Sequence, residues 1–252
     1  MDAIVLAGGY GTRLLPLSEF IPKVLLPIDG KPLLFYILES LNDLSYSYPI
    51  NNVIISTNQK FFKNIEHYLE LLGWRYKNLN IELLDEPSRK EEEKLGSVKG
   101  LEFVLNRKNL EEALVIAGDN YFDFKLNRLL EKYLALNHSI LGIYDVKDLK
   151  EATRFGVVQL DSSNKIIKFE EKPSSPQSTL VSIGIYVFNK EAIGELSTYI
   201  INTGKKDRLG DFIDWLIQKK PVYGVIFERG IWEDIGSLES YRSLNEKLSN
   251  KK

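Results

Sequence analysis

The sequence predicts an α/β protein whose central sheet is mixed but mostly parallel and carries helices on both faces. Its 252 residues, 44% of them hydrophobic, suffice for one large domain or two small ones. Short apolar runs alternate with helix-like segments through the first half, an order typical of parallel sheets. No linker or internal repeat interrupts the chain. We therefore expect one domain over residues 1–252, in which a β-rich insertion around 155–190 widens the sheet.

The first half alternates strand and helix signals. Buried strands are predicted at the short apolar runs Ala3–Leu6, Asn52–Ser56, Ile81–Leu84, Leu114–Ala117 and Ile140–Asp145. Helices are predicted at the intervening segments Pro32–Leu41, Phe61–Leu72, Ser97–Leu105 and Leu126–Leu136.

The second half begins with a predicted hairpin. Phe155–Leu160 and Lys165–Glu171 flank the run Asp161–Asn164, which has the chemistry of a turn. Further strands are expected at Val181–Phe188 and Val222–Glu228, and helices around Phe212–Ile217 and at Leu238–Leu248.

Composition excludes several classes of function. The balance of 33 basic and 35 acidic residues gives a formal charge of -2, which is not that of a nucleic-acid-binding protein. The absence of cysteine excludes disulfides and a thiol nucleophile. The apolar start is too short for a signal peptide, and no run reaches the roughly 18 residues of a membrane span. We therefore expect a cytoplasmic protein with no membrane partner, and a homo-oligomer is compatible with the sequence.

Other residues of chemical interest lie away from any motif. His67 and His138 fall in helix-like segments, so we assign them no catalytic role. Trp74 and Trp215 are interpreted as packing residues.

The most informative segment is the glycine-rich turn that follows the first strand. Three glycines within Gly8–Gly11 allow a tight turn and leave backbone N–H groups free to face an anion. Thr12 adds a hydroxyl, and Arg13 adds a planar cation that grips phosphate oxygens in a bidentate manner. Lys23, placed after the rigid Pro22, is a point charge suited to a further phosphate. The alternative is a plain tight turn.

Two other phosphate-binding loops fit less well. A Walker loop needs a lysine directly after its last glycine, and none stands at that spacing. The dinucleotide fingerprint begins at Gly9 and Gly11 but has Leu14 where its third glycine belongs.

Leu6–Leu17 matches the pattern L-A-G-G-x-G-T-R-L-x-P-L, Ser18 stands where threonine is usual, and Pro22 and Lys23 follow. The chain thereby resembles the sugar nucleotidyltransferases, the family of the glucose-1-phosphate thymidylyl- and uridylyltransferases and the mannose-1-phosphate guanylyltransferases. The resemblance implies a Rossmann-like, GT-A-like fold. It also implies that Lys23 contacts the reacting phosphate. The residues it implies for holding the triphosphate are Leu6, Ala7, Gly8, Gly9, Gly11, Thr12 and Arg13.

Two aspartates stand at predicted strand ends, the usual ligand edge of an open α/β sheet. Asp119 follows an apolar strand, and Asp234 lies in the segment Trp232–Ser237. Taken alone, each is equally well explained as a cap of the following turn. Gly118-Asp119-Asn120 resembles the family's G-D-[NH], and Trp232–Ser237 resembles its W-x-D-[IT]-G-[ST]. The resemblance implies that Asp119 and Asp234 hold Mg²⁺, which in proteins takes one or two carboxylates together with phosphate oxygens.

The predicted hairpin carries the sugar-side motifs. Phe169–Pro173 is explained equally by an edge strand ended by proline, but it resembles the family's F-x-E-K-P. That resemblance implies that Glu171 accepts from sugar hydroxyls and that Lys172 binds the phosphate of the sugar. Gly156 and Gly184 lie in segments similar to the family's sugar-side strands. The insertion around 155–190 is therefore expected to bind the sugar.

The base pocket departs from the family pattern. Relatives open a helix with Gly-Thr-Ala or Gly-Leu-Ala, preceded by Gln or Glu, where this chain has Leu95–Val98 with Gly96. An amide would pair with thymine or uracil, whereas a carboxylate would suit the N–H donors of guanine. Which acidic residue lies near the base stays open among Glu86, Glu91, Glu92 and Glu93.

The expected reaction transfers a nucleoside monophosphate from a nucleoside triphosphate to a sugar 1-phosphate, releasing pyrophosphate. Asp119-Asn120 and Gly210–Ile213 resemble the thymidylyl branch of the family, which implies dTTP or UTP with glucose 1-phosphate. Trp232–Tyr241 is equally similar to the guanylyl enzymes, so GTP with mannose 1-phosphate is the alternative. A glycosyltransferase would carry a D-x-D pair, which Asp119-Asn120-Tyr121 breaks. A non-catalytic regulatory subunit commonly lacks the arginine or a metal carboxylate, and both are present here.

Overall fold

The computed structural model describes residues 1–73 and 75–250. Trp74, interpreted above as a packing residue, lies outside the described residues. The strands are β1 (Asp2–Leu6), β2 (Pro27–Ile28), β3 (Lys31–Pro32), β4 (Asn52–Asn58), β5 (Asn80–Glu86), β6 (Ala113–Ala117), β7 (Asn120–Phe122), β8 (Ser139–Asp145), β9 (Gly156–Leu160), β10 (Ile166–Glu171), β11 (Leu180–Phe188), β12 (Val222–Phe227) and β13 (Trp232–Asp234). The helices are α1 (Leu33–Ser45), α2 (Phe62–Leu72), α3 (Ser97–Lys108), α4 (Asn127–Leu136), α5 (Leu149–Ala152), α6 (Lys190–Thr203), α7 (Leu209–Ile217) and α8 (Leu238–Ser249).

The central sheet is mixed, as predicted, with parallel strands at its centre. Its order runs β10-β9-β11-β6-β1-β4-β5, and β8 joins it through β11 and carries β12. β1 pairs in parallel with both β4 and β6, and β4 pairs in parallel with β5. The antiparallel part is built around β11, which runs opposite to β6, β8 and β9. The predicted hairpin is confirmed as β9 and β10, which pair antiparallel.

Helices cover both faces of the sheet because successive strand residues point to opposite sides. Ala3 and Val5 of β1 belong to one apolar cluster, packed with α1, α2 and α4. Ile4 belongs to a second cluster on the other face, packed with α3, α6 and α7. A third apolar cluster forms where α8 packs against the segment that contains Leu14 and Ile28. No helix among residues 1–73 and 75–250 is both long and apolar enough to cross a bilayer.

The sequence analysis did not predict α5 or the β2–β3 pair, and it also missed two larger features of the fold. The first is α6, which packs on the same face as α7. The second is a separate two-stranded sheet in which β13 pairs antiparallel with β7, bringing Asp234 opposite Asn120. This small sheet joins parts of the chain that lie more than a hundred residues apart in the sequence.

Candidate active site

The carboxyl ends of the parallel strands meet at one edge of the sheet. Leu6, the last residue of β1, is in register with Ser56 of β4 and with Ala117 of β6. A cavity of about 460 Å³ opens at this edge, where open α/β sheets bind their ligands. The predicted residues that line it are Leu6, Gly8, Gly9, Arg13, Gly96, Asp119, Gly156, Glu171, Lys172, Gly184 and Asp234.

The remaining predicted residues lie beside this cavity and not in its lining. Ala7 is buried and donates its N–H to the Ser56 carbonyl at 2.7 Å. Gly11 adopts a φ of 70°, in the left-handed region that glycine tolerates, and its carbonyl accepts from Ser18 Oγ at 2.6 Å. Thr12 donates to Glu91 Oε1 at 3.2 Å. These three residues therefore shape the turn that holds Arg13 at the cavity.

Lys23 forms an ion pair with Asp119, which lines the cavity. Its Nζ is 3.3 Å from Asp119 Oδ2, and the lysine side chain is 19% exposed. The short helical turn Lys23–Leu25, which begins directly after Pro22, holds the lysine in this position. The second oxygen of the same carboxylate, Oδ1, accepts from Asn120 Nδ2 at 3.3 Å.

The two predicted metal ligands are brought together by the β7–β13 pair. The Ile235 N–H donates to the Asp119 carbonyl at 2.8 Å, which ties together the backbones next to both carboxylates. Burial, followed by the negative charge of Asp119, raises the pKa of Asp234 to about 7. Lys23 opposes this rise. Lys172 and Arg154 oppose it as well. The charge of Asp119, whose side chain is 37% exposed, thus still acts against ionisation of Asp234, an arrangement that a further cation would stabilise.

The donor set fits a divalent cation completed by substrate. Mg²⁺ is commonly held by one or two carboxylates plus phosphate oxygens and waters. No cluster of three or more Asp, Glu or His side chains suited to a metal occurs in the part of the chain that the structure describes. Asp119 and Asp234 would therefore hold Mg²⁺ with the help of phosphate oxygens, and the ion would supply positive charge to them.

Asn120 and Trp232 add a fixed support that the sequence did not reveal. The Trp232 Nε1–H donates to Asn120 Oδ1 at 2.7 Å, and Asn120 is only 5% exposed. This bond fixes which way the amide points, so the Asn120 NH₂ group faces Asp119.

The sugar side of the cavity is built by the β9–β10 hairpin and the start of α7. Gly156 and Glu171 are partners in register. The α-carbon of Gly210 abuts the Glu171 carboxylate so closely that a Cβ there would overlap it. Burial raises the pKa of Glu171, while the positive charges of Lys172 and Arg208 oppose the rise. Lining residues on this side that the sequence analysis did not single out are Arg154, Asp207 and Arg208.

The other end of the cavity contains Glu86. Of the four acidic candidates only Glu86 lines the cavity; it is 4% exposed and accepts from Ser56 Oγ at 2.8 Å. The α-carbon of Gly8 faces its carboxylate, and a side chain at that position would collide with it. Burial is the main cause that raises the pKa of Glu86.

Backbone hydrogen bonds join the start of α3 to the segment before α7 beside the cavity. The N–H groups of Ser97 and Val98, at the start of α3, donate to the carbonyls of Asp207 and Lys206 at 3.0 and 3.1 Å. Gly96 has a φ of 79° and lies so close to Asp207 that no side chain would fit. The residue before α3 is therefore glycine for both conformational and steric reasons.

Comparison with known proteins now identifies the family. The pattern of the family described as Nucleotidyl transferase matches residues 2–251. The chain belongs to this family. It is 34% identical over 250 residues to a provisionally named mannose-1-phosphate guanyltransferase of Sulfolobus acidocaldarius, covering 98% of this chain and 63% of that protein. It is also 34% identical over 256 residues to the bifunctional protein GlmU of Methanocaldococcus jannaschii, covering 99% of this chain and 55% of that protein. The chain thus spans only part of the length of these relatives.

Solved structures of nucleotidyltransferases have the same fold. A UDP-glucose pyrophosphorylase in complex with UDP-glucose superposes with a TM-score of 0.81 at 22% identity, covering 100% of both chains. A Bacillus anthracis protein provisionally named a glucose-1-phosphate thymidylyltransferase gives a TM-score of 0.81 at 22% identity, covering 98% of this chain and 94% of that chain. The predicted Rossmann-like, GT-A-like fold is confirmed.

Proposed function

We propose that the protein transfers a nucleoside monophosphate from a nucleoside triphosphate to a sugar 1-phosphate, releasing pyrophosphate and a nucleoside diphosphate sugar. The observation that carries this proposal is the sharing of one cavity by three groups. Arg13 lies on the glycine-rich turn, the Asp119–Asp234 pair lies at the centre, and Lys172 lies on the hairpin side. A reaction between two phosphorylated substrates at a metal needs a cation for each substrate and carboxylates between them for the metal.

The residue roles follow the position of each group along the cavity. We assign the glycine-rich turn and Arg13 to the triphosphate, and Lys23 to the phosphate that reacts. Glu171 and Lys172 receive the sugar and its phosphate, within a single domain whose insertion around 155–190 binds the sugar. The sugar phosphate oxygen attacks the α-phosphorus, and pyrophosphate leaves in line. Since the attacking oxygen is already an anion, catalysis consists of positioning and charge neutralisation and needs no general base.

For the base we propose guanine, which reverses the preference drawn from the sequence. The run Gly210–Ile213, which favoured thymine or uracil, lies within α7, and its Gly210 abuts the sugar-side Glu171. It therefore carries no information about the base. Glu86 is the acidic residue at the opposite end, and an ionised carboxylate only accepts hydrogen bonds. Guanine presents two adjacent N–H donors to such a group, whereas uracil and thymine present one N–H between two carbonyl oxygens.

The test is a grid of reactions in the presence of Mg²⁺ and inorganic pyrophosphatase. ATP, GTP, CTP, UTP and dTTP are each combined with the 1-phosphates of glucose, mannose, galactose and N-acetylglucosamine, and phosphate release is measured. The variant Lys23→Ala serves as the inactive control. We expect the fastest release with GTP. Release only with UTP or dTTP would overturn the assignment of guanine. Silence across the grid, with triphosphate binding retained, would overturn the catalytic role in favour of the regulatory-subunit alternative.

A further inference from the structure

Arg154 is a cavity-lining cation to which neither the family motifs nor the roles assigned above give a function. It stands two residues before the start of β9, next to Phe155 and Gly156. Resting on the proposed function, we propose that Arg154 binds the phosphate group of the sugar 1-phosphate together with Lys172, and so selects phosphorylated sugars.

The hairpin brings the two cations to one corner of the cavity. β9 and β10 pair so that Gly156 stands opposite Glu171, which places the residues before β9 and after β10 at the same end. The Lys172 N–H donates to the Phe155 carbonyl at 3.0 Å and locks these two ends together. Lys172 has a φ of 51°, in the left-handed region, so its backbone is held in a conformation that lysine rarely adopts. A tight corner with two long cations therefore opens onto the cavity.

The guanidinium of Arg154 is oriented and still has donors to offer. Arg154 Nη1 lies 2.6 Å from Glu151 Oε1, and the cation stands 5.4 Å from the centroid of the Phe155 ring. α5, capped by Asp148, holds Glu151 in place. Guanidinium has five N–H donors in a planar fork, so one contact with Glu151 leaves others for phosphate oxygens. The side chain is 42% exposed, so an entering anion can reach it.

The charges at this end of the cavity favour a further cation beside Lys172. Asp119, Asp234 and Glu171 all line the space that a doubly charged sugar phosphate would enter. Lys23 pairs with Asp119, and Arg208 lines the cavity near Glu171, with its Nε 3.0 Å from Asp211 Oδ2. Arg154 is the cation that the hairpin places beside Lys172, and both of them lower the pKa of Asp234.

The experiment compares Arg154→Ala and Arg154→Lys with the wild type, and uses Arg107→Ala, at the exposed end of α3, as the matched control. Dissociation constants for the 1-phosphates of glucose, mannose, galactose and N-acetylglucosamine and for each of the five nucleoside triphosphates are measured by titration calorimetry. KM and kcat are measured wherever turnover occurs. We expect Arg154→Ala to weaken the binding of whichever sugar phosphate the wild type takes by about 10- to 100-fold, as for the loss of charge-assisted hydrogen bonds. The affinity for triphosphate should stay within about twofold, and kcat should change far less than KM. The affinity of Arg154→Lys for sugar phosphate should lie between those of wild type and Arg154→Ala, because lysine keeps the positive charge and lacks the planar set of N–H donors.

Each other outcome has a definite meaning. Unchanged binding of sugar phosphate in Arg154→Ala, or equal weakening of both substrates, would overturn the role of Arg154 and leave the proposed reaction standing. Selective weakening in a protein that shows no turnover would support Arg154 and count against the reaction. If Arg154→Ala fails to fold in a thermal scan, the intermediate affinity expected of Arg154→Lys decides. Wild-type protein that binds none of the four sugar phosphates would overturn both the role of Arg154 and the proposed reaction.

Discussion

Replacing Glu86 by glutamine changes the charge in the proposed base pocket and almost nothing else. The amide has the same shape, and its oxygen can still accept the hydrogen bond that Ser56 Oγ makes at 2.8 Å. One of the two acceptor oxygens becomes an NH₂ donor. With guanine, that donor would face another donor, so one charge-assisted hydrogen bond is lost and one polar group is left unpaired.

The size of the effect follows from these two changes. A hydrogen bond to a charged group contributes about 1.5–3 kcal/mol, and burial at 4% exposure leaves little room for water to replace it. We expect a loss of about 3 kcal/mol, or roughly 150-fold in kcat/KM for GTP. The amide matches the alternating donors and acceptors of uracil and thymine, so kcat/KM for UTP and dTTP should rise.

The thermal stability of Glu86→Gln should increase, although its kcat/KM for GTP falls. Because burial raises the pKa of Glu86 in the folded protein, the free energy of unfolding falls as pH rises through the window between the unfolded and folded values. The glutamine variant has no such titration. We expect Glu86→Gln to raise Tm at pH 7 by more than it does at pH 4.5, as measured by thermal scans without ligand.

The assay is the initial rate of pyrophosphate release with each triphosphate, for wild type and variant at equal folded fraction. Glu92→Gln, on the exposed turn outside the cavity, is the matched control. An unchanged ratio of GTP to UTP in Glu86→Gln would refute the placement of the base against this carboxylate.

The remaining predictions concern the centre and the sugar side of the cavity. Lys23→Ala should lower kcat by about 10²–10³-fold, by analogy with the loss of one preorganised donor, and unchanged turnover would contradict its role. Asp234→Asn should abolish stabilisation by Mg²⁺ and yet raise Tm in EDTA, because it removes a buried charge that Asp119 repels. Since the pKa of Asp234 is raised to about 7, the gain should be larger at pH 8 than at pH 5, and a gain independent of pH would count against the pairing. Gly210→Ala should lower the free energy of unfolding by about 1–3 kcal/mol, or displace Glu171 and raise KM for sugar phosphate. An unchanged Tm and KM would show that the close contact has no consequence.

Much of the fold was predictable because it is encoded locally. The alternation of buried residues in β1, with Ala3 and Val5 on one face and Ile4 on the other, follows directly from the strand period. α6 was missed although Ala192, Leu196 and Tyr199 are buried at helical spacing. Gly194 and the threonines of this segment lower its intrinsic helix propensity, so the helical spacing of its apolar residues was not recognised.

The candidate site was predictable only where a motif is continuous in sequence. The glycine-rich turn and the charges at strand ends could be identified one segment at a time. The choice among the four glutamates could not be made, because the path of the chain between Glu86 and α3 decides which of them enters the cavity. The bond from Trp232 to Asn120 joins residues 112 positions apart and exists only because β13 returns to β7.

Three carboxyl groups along the cavity share one physical property, which explains why charges so distant in sequence are held together. Glu86, Glu171 and Asp234 all line it, and for each of them burial is the largest cause that raises the carboxyl pKa. Each carboxylate therefore destabilises the free protein near neutral pH. Each also faces the position proposed for a ligand group that would relieve it: the N–H groups of a base, the hydroxyls of a sugar, and a divalent cation. A fold alone gains nothing from three desolvated carboxyl groups in one cavity, because they lower its stability. A binding site does gain, because desolvation strengthens the attraction of each carboxylate for a hydrogen-bond donor or a cation.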